Sequence, residues 1–275
     1  MGKKHQGDPE NTLPKEFADR HRLYQWSVQV PQFEAEFMDE VFHKMRGRHP
    51  QTLREDFCGT GLLCAEWAKT GANHHAVGLD LDDETLEWGL KHNIAPLGKA
   101  AERVEMRKAD VRTPTTPLSD VACAYNFSWF LLPTMKELVD YFTTVRESLA
   151  DDGLLFLDCY GGWEAQQEVA EPRLVESPHG MFTYTWEQAD YDPINNIATC
   201  HIHFELAEGK RLKRAFTYEW RLYTLAEAKE ALLAAGFSDC IIYWDKSPDP
   251  EVDRYRPATK AENQPGWLAY IVGVV

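Results

Sequence analysis

The feature that most constrains this chain is an alternation of apolar strands and amphipathic helices between residues 51 and 160. "QTLREDF", "HAVGLDL", "RVEMRKAD", "DVACAYNF" and "LLFLDCY" read as strands. Between them, "GLLCAEWAKTG" reads as a helix closed by Gly71, and "DDETLEWGLKHN" as one with acidic residues in its first turn. "TMKELVDYFTTVRESLADDG" reads as a helix closed by Gly153. Apolar strands joined by helical crossovers require a mostly parallel sheet covered by helices on both faces.

The pattern changes after residue 162. "FTYTWEQADYD", "IATCHIHFEL" and "RLKRAFTYEWRLYT" are aromatic strands joined by turn chemistry at Asp192-Pro193, Asn195-Asn196 and Glu208-Gly209. They form an antiparallel unit inserted into the α/β ladder. A helix follows, "LAEAKEALLAAGF", capped by Thr224 and stopped by Gly236. Strand "DCIIYW", a polar loop to about residue 265 and strand "WLAYIVGVV" close the chain. Upstream, Pro31 separates a short aromatic segment from a helix with Phe33, Phe37, Val41 and Phe42 at helical spacing. The expected divisions are an N-terminal segment and lid helix (1–45), a cofactor-binding core (46–162), the antiparallel cap (163–223) and a return to the core (224–275).

With 44% apolar and 12% aromatic residues, the 275-residue chain can bury a substantial core. A net charge of −15 argues against a nucleic-acid partner, because phosphate backbones bind through Lys and Arg. The six cysteines form no CxxC pair and lie mostly in apolar runs, as buried thiols of a reducing cytoplasm do. The N-terminus has no apolar signal core and the longest apolar run is too short to span a bilayer, so a cytoplasmic protein without a membrane partner is expected.

Gly59 and Gly61 lie between the first strand and its helix, in "REDFCGTGLLC". Such a turn presents free backbone N–H groups at the positive end of a helix, and glycine lets a ligand approach the backbone. Open α/β sheets bind ligands there, beyond the carboxyl ends of the strands. Asp80 ends the second strand nineteen residues after Gly61, where an acidic residue accepts hydrogen bonds from ribose hydroxyls. A dinucleotide such as NAD asks for G-x-G-x-x-G, and Cys64 stands at the last glycine, which weakens that reading without removing it. A P-loop is excluded because no G-K-[ST] follows. An ordinary tight turn, with Asp110 as an ordinary turn cap, is the bland alternative.

"EDFCGTG", "VGLDLD", "KADV" and "AYNFSWF", in this order, resemble the motifs of class I S-adenosylmethionine-dependent methyltransferases. The resemblance runs from about Leu53 to Tyr160 and resumes at "LAEAKEALLAAGF" and the last two strands. It implies a Rossmann-like seven-stranded, mostly parallel sheet with an antiparallel last hairpin and, here, an inserted antiparallel β cap. It also implies that Glu55, Gly59, Thr60 and Gly61 surround the methionine part of the cofactor. Asp80 would take the ribose hydroxyls with Leu81 beside the adenine; Asp110 with Val111 would meet the adenine amino group; Asn126 and Phe127 would face the methyl-transfer centre. The chain departs from the family at Phe57, which replaces the first glycine of the first motif and is expected to pack under the turn.

In this family the acceptor pocket is built by the N-terminal segment, the loop after the fourth strand and insertions after the fifth, and all three are aromatic here. Tyr24, Asn126, Tyr160, His201 and His203 are therefore the expected catalytic residues, and Trp26, Trp129, Trp163, Tyr218 and Arg221 the expected acceptor contacts. Tyr24 and Trp26 read equally as a lid or as packing anchors. His201 and His203 share a strand face, with Glu205 after them; an acceptor contact, a metal site and hydrogen-bonded sheet histidines stay open, and no metal is assigned. The expected activity is methyl transfer to the N, O or S atom of a small molecule. The alternatives are a protein or RNA methyltransferase and a non-catalytic S-adenosylmethionine-binding module. The cap is the surface expected to carry any homodimer contact.

Overall fold

The computed structural model describes residues 10–246 and 255–275. In chain order the elements begin with helices α1 (Arg20–Val28) and α2 (Pro31–Arg46), strand β1 (Thr52–Asp56), helix α3 (Leu62–Thr70), strand β2 (His75–Asp80) and helix α4 (Asp83–Gly89). Strands β3 (Val104–Lys108) and β4 (Ser119–Ala124), helix α5 (Met135–Glu147) and strand β5 (Leu149–Gly161) follow. Strands β6 (Val169–Ser177), β7 (Gly180–Asp192), β8 (Ile197–Glu205) and β9 (Arg211–Arg221) come next, then helix α6 (Leu225–Ala234) and strands β10 (Asp239–Asp245), β11 (Tyr255–Pro257) and β12 (Trp267–Val274).

The chain divides into two compact units: residues 30–162 with 223–275, and residues 10–29 with 163–222. The larger unit is an α/β layer around a sheet of order β11-β10-β12-β5-β4-β1-β2-β3. Strands β3, β2, β1, β4 and β5 pair in parallel; β12 is antiparallel to both β5 and β10. The mostly parallel sheet and its antiparallel final hairpin match the expectation. Its strand count does not: β11 adds an eighth strand to the expected seven, antiparallel to β10, inside the segment read as a polar loop. The first residues of that loop, 247–254, and the N-terminal residues 1–9 lie outside the described residues.

Helix α2 was expected in a separate N-terminal lid, but its apolar face belongs to the sheet core. Phe37, Met38, Val41 and Phe42 cluster there with Trp67 of α3 and Phe156 of β5. Each large side chain so buried contributes about 1.5–3 kcal/mol. A charged residue also lies within this unit: Arg54 of β1 is fully buried. Its guanidinium donates to Asp56 Oδ1 (2.9 Å), the Val111 carbonyl (2.5 Å) and Ser148 Oγ (2.7 Å), and Tyr141 OH donates to Asp56 Oδ2 (2.9 Å). The network ties β1 to the loop after β3 and to the end of α5. Helix α5 stops at Glu147, earlier than the expected stop at Gly153, because residues 149–152 already run as strand β5. Helix α6 has the expected cap: the Glu227 N–H donates to Thr224 Oγ1 (3.1 Å) and the Thr224 N–H to Glu227 Oε2 (2.8 Å), a reciprocal capping box.

The smaller unit is an antiparallel sheet of order β6-β7-β8-β9, with α1 on one face. Two of its elements were not expected. The aromatic segment before Pro31 is helical, with Asp19 accepting the Arg22 N–H at its N-cap. Strand β6, "VAEPRLVES", lies at the sheet edge and is largely exposed, where Pro172 costs no central ladder bond. Phe182, Tyr184, Ile202 and Phe204 pack with Leu13 and Leu23 to form this unit's core.

All six cysteines are buried and free, as their apolar settings suggested. Among the described residues, no helix is long and apolar enough to cross a membrane.

Candidate active site

The turn after β1 is set by three left-handed residues: Phe57 (φ 53°), Gly59 (φ 52°) and Gly61 (φ 62°). The chain reverses tightly, with the Cys58 N–H donating to the Leu79 carbonyl (2.9 Å) and the Gly61 N–H to the Cys58 carbonyl (2.8 Å). Gly61 suits its left-handed backbone; a Cβ there would also press on the movable end of Met106, 2.5 Å from Cε. Gly59 faces open space: a Cβ there would meet only Thr85 Cγ2, at 3.9 Å. Phe57 takes the backbone shape that glycine normally supplies, and its ring packs edge-on against Tyr141 at 5.9 Å.

Carboxylates fix the rest of the turn. Asp80 Oδ2 accepts the Gly59 N–H (2.8 Å) and Oδ1 the Asp82 N–H (2.9 Å), so the end of β2 is locked to the turn. Leu81 beside it is 64% exposed, an unusual setting for a leucine. Glu55 is buried, and its Oε2 accepts the Cys64 N–H in the first turn of α3 (3.0 Å). Burial pushes the Glu55 carboxyl up to about 7 against that hydrogen bond, with Asp80 and Asp56 adding to the rise. The helix end that would take a pyrophosphate thus already holds one of the protein's own carboxyls, which argues against a dinucleotide.

Beyond β3, Val111 is buried, while Asp110 turns back on its own loop. The Asp110 carboxylate accepts both the Nε (2.9 Å) and Nη2 (2.6 Å) of Arg112, whose guanidinium holds it below the usual carboxylate range. Beyond β4, Asn126 (φ 57°) and Phe127 (φ 58°) are both left-handed. Asp158 of β5 stabilises this shape: Oδ2 accepts the Asn126 N–H (2.7 Å) and Oδ1 the Phe127 N–H (2.9 Å). Burial raises the Asp158 carboxyl to about 7 despite these donors. The Asn126 side chain makes no hydrogen bond among the described residues. Phe127, Phe130 and Tyr160 form an aromatic group, with Phe127 and Phe130 centred 4.7 and 5.7 Å from the Tyr160 ring.

Two acidic residues escaped the sequence reading. Asp158 is the single charge in "LLFLDCY", and Glu34 sits on the apolar face of α2, at helical spacing from Phe37, Met38 and Val41. An isolated carboxyl in an apolar pattern was the available signal in both cases.

The expected acceptor residues are dispersed. Trp129 corrects the reading of an acceptor contact: it is fully buried, its Nε1 donates to the Asp158 carbonyl (2.7 Å) and it stacks on Tyr223 (5.4 Å). In the smaller unit, Tyr24 hydrogen-bonds Tyr218 and packs on Phe216 (5.0 Å), and Trp26 packs on Phe182 (6.4 Å) and His179 (5.9 Å). Both serve there as packing anchors of the cap core. Tyr218 stacks on Trp220 (4.6 Å), and Trp220 on Trp186 (5.5 Å). Arg221 ends β9 opposite Ile197, and Trp163 is half-exposed in the turn after β5.

His201 and His203 lie on the opposite sheet face from these rings, His201 with one ring nitrogen paired within the sheet and His203 with both. His201 Nδ1 pairs with Thr217 Oγ1 (2.9 Å), and burial lowers its pKa. His203 accepts the Arg214 N–H at Nδ1 (3.1 Å), which puts its ring proton on Nε2, facing Glu187 Oε2 (2.7 Å). With both ring nitrogens of His203 occupied, the expected catalytic role is replaced by a structural one. Among the described residues, no group of three His, Cys, Asp or Glu is placed to hold a metal ion.

No curated protein matches the sequence. Residues 56–157 match the family described as "Methyltransferase domain". Solved structures with the same fold include DesVI from Streptomyces venezuelae (16% identity, 92% of this chain and 95% of that one, TM-score 0.69). CalS10, an amino pentose methyltransferase from Micromonospora echinaspora with S-adenosylmethionine bound, shares 16% identity over 92% of this chain and 96% of its own (TM-score 0.66). The sugar N-methyltransferase KedS8 from Streptoalloteichus sp is also 16% identical, over 100% of this chain and 97% of its own (TM-score 0.65). Sheet order, motif order and the matched segment agree: residues 56–157 carry a methyltransferase domain, on a fold shared with S-adenosylmethionine-dependent methyltransferases.

Proposed function

We propose that this methyltransferase acts on a small-molecule acceptor, with nitrogen as the favoured acceptor atom. The observation that carries the reading is the aromatic group of Phe127, Phe130 and Tyr160 beside the left-handed turn at Asn126. Aromatic faces stabilise a cation at short range, and both the methyl donor and a methylated amine are cations. The amino-sugar and sugar N-methyltransferase neighbours support the choice of acceptor.

S-adenosylmethionine, when bound, supplies an activated methyl on a sulfonium. The chain's own work is to orient and to exclude water. In this reading Gly59 leaves the backbone open, and Thr60 and Gly61 complete the wall around the methionine part with Glu55. Asp80, held by two backbone N–H groups, keeps lone pairs for the ribose hydroxyls, and Leu81 offers an apolar surface to the adenine. Val111 and Asp110 close the base pocket, with Asp110 exchanging part of its Arg112 pairing for the adenine amino group. Asn126 and Phe127 meet the transferring methyl, and Tyr160 faces the acceptor. The donors held by Asp158 keep this loop preorganised, which is where an in-line displacement gains most.

The test is transfer of a radiolabelled methyl group to a panel of amino sugars, other small amines, thiols, bulk protein and RNA. Labelled small amines support the reading; labelling of protein or RNA alone, or binding without transfer, overturns it. In the same protein, Asp80→Ala is expected to weaken S-adenosylmethionine binding by about 1–3 kcal/mol, the cost of unpaired buried polar groups. Calorimetry at unchanged folded fraction measures it, and wild-type affinity in the variant removes the ribose role.

A further inference from the structure

Glu34 has no place in the roles above. It lies in the first turn of α2, 8% exposed, and its carboxyl makes no hydrogen bond among the described residues. Asp158 and Glu55 are the charged groups that act on it most strongly. A second buried polar group points the same way: the Tyr125 hydroxyl has no hydrogen-bond partner among the described residues. Tyr125 is 6% exposed, packs edge-on against Tyr270 (5.7 Å) and lies within electrostatic reach of Glu34 and Asp158. The ionisable groups around Glu34 are thus Glu55 from β1, Cys123 at the end of β4 with Tyr125 just after it, and Asp158 from β5, with Tyr270 of β12 beside Tyr125. Each is acidic or neutral. No Lys, Arg or His acts on Glu34, Glu55 or Asp158 among the described residues.

We propose that Glu34, with Glu55, Asp158 and the Tyr125 hydroxyl, forms an anionic pocket that recognises the positive charge of the methyl donor and so distinguishes it from the demethylated product. The proposal rests on the methyl-donor reading of the site. A buried carboxylate without a counter-charge is costly, and such a group keeps its proton instead. Burial, then Asp158, then Glu55 raise the Glu34 carboxyl to about 8. At neutral pH the empty pocket therefore carries protons. S-adenosylmethionine bears a sulfonium and an ammonium against one carboxylate, a net charge of +1. S-adenosylhomocysteine has lost the sulfonium charge. Binding the first replaces a proton with a fixed cation; binding the second offers the pocket less. The donor is then favoured over the product, and its affinity rises with pH through the range where Glu34 ionises.

The test is calorimetric titration with S-adenosylmethionine, with sinefungin (which keeps a positive charge at the transfer centre) and with S-adenosylhomocysteine. Two buffers of different ionisation heat count the protons released. For the wild type near about pH 7, the two cations are expected to release more protons than S-adenosylhomocysteine and to bind about tenfold more tightly at about pH 8 than at about pH 6. Glu34→Gln is expected to weaken both cations about tenfold, change S-adenosylhomocysteine less than about threefold, and lose part of the proton release. Equal proton release for all three ligands in the wild type overturns the proposal, and this measurement stands even if the variant does not fold. Unchanged or equally weakened binding of all three by Glu34→Gln also overturns it. If the wild type binds none of the three, the methyl-donor reading itself fails.

Discussion

Phe57 shows at residue scale how a motif tolerates a departure. Phe57 adopts at φ 53° the left-handed backbone that glycine favours, with its ring against Tyr141. Holding a side chain there costs about 1 kcal/mol relative to glycine. The strain is separable from the packing. Phe57→Gly and Phe57→Ala both lose the ring, but only Gly releases the backbone. Phe57→Gly is therefore expected to be the more stable variant, by about 1 kcal/mol in urea unfolding. Equal stabilities would show that the left-handed turn is not strained. The sequence disclosed that Phe57 was out of place and Gly59 open to a ligand, because glycine spacing is local information. It did not disclose Glu34, because a lone carboxyl on an apolar helix face has no meaning until its neighbours are known.

Local pattern served well at element scale where each element satisfied its own hydrogen bonds and turned one face inward. The βαβ run and α6 with its Thr224–Glu227 box were legible for that reason. It failed where the sheet decided. The segment 169–177 was not read as a strand, yet it forms β6 at an exposed edge, where Pro172 is harmless. Residues 149–152 read as the end of a helix, yet pairing with the parallel sheet draws them into β5, where Leu149 sits opposite Ser119. Arg54 read as one polar residue in a short strand, but it is the buried hub linking β1 to the loop after β3 and to Ser148. Arg54→Met would leave Asp56 buried without its charged partner, with only the Tyr141 hydroxyl on it. A loss of about 3–5 kcal/mol is expected in urea unfolding, the scale for breaking a buried pair from one side. A loss under about 1 kcal/mol would mean that Asp56 simply takes up a proton.

At the scale of the whole molecule, the buried carboxyls set the pH behaviour. Glu34 is raised to about 8, and Glu55 and Asp158 to about 7. A carboxyl raised on folding contributes stability that is fully present below its unfolded value, about 4, and is lost as pH rises through its folded value. The ligand-free protein is therefore expected to lose thermal stability between about pH 5 and about pH 9, and a charged methyl donor to restore it. A ligand-free midpoint that is flat or rises across that window would show these carboxyls to be solvated. Asp110 and Glu105 are held below the usual carboxylate range by Arg112 and Arg107, so they act only in acid, outside this window.

The sequence by itself determined the layer type, the order of the parallel strands' motifs and the glycine turn with its acidic partner, because each is written in residues a few positions apart. Only the tertiary structure decided that residues 10–29 join the antiparallel sheet while α2 joins the α/β core, that both ring nitrogens of His203 are taken up within its own sheet, and that carboxyls from β1 and β5 act on Glu34 of α2. Those outcomes depend on which surfaces meet across long stretches of chain. Burial and charge exist only once they have met.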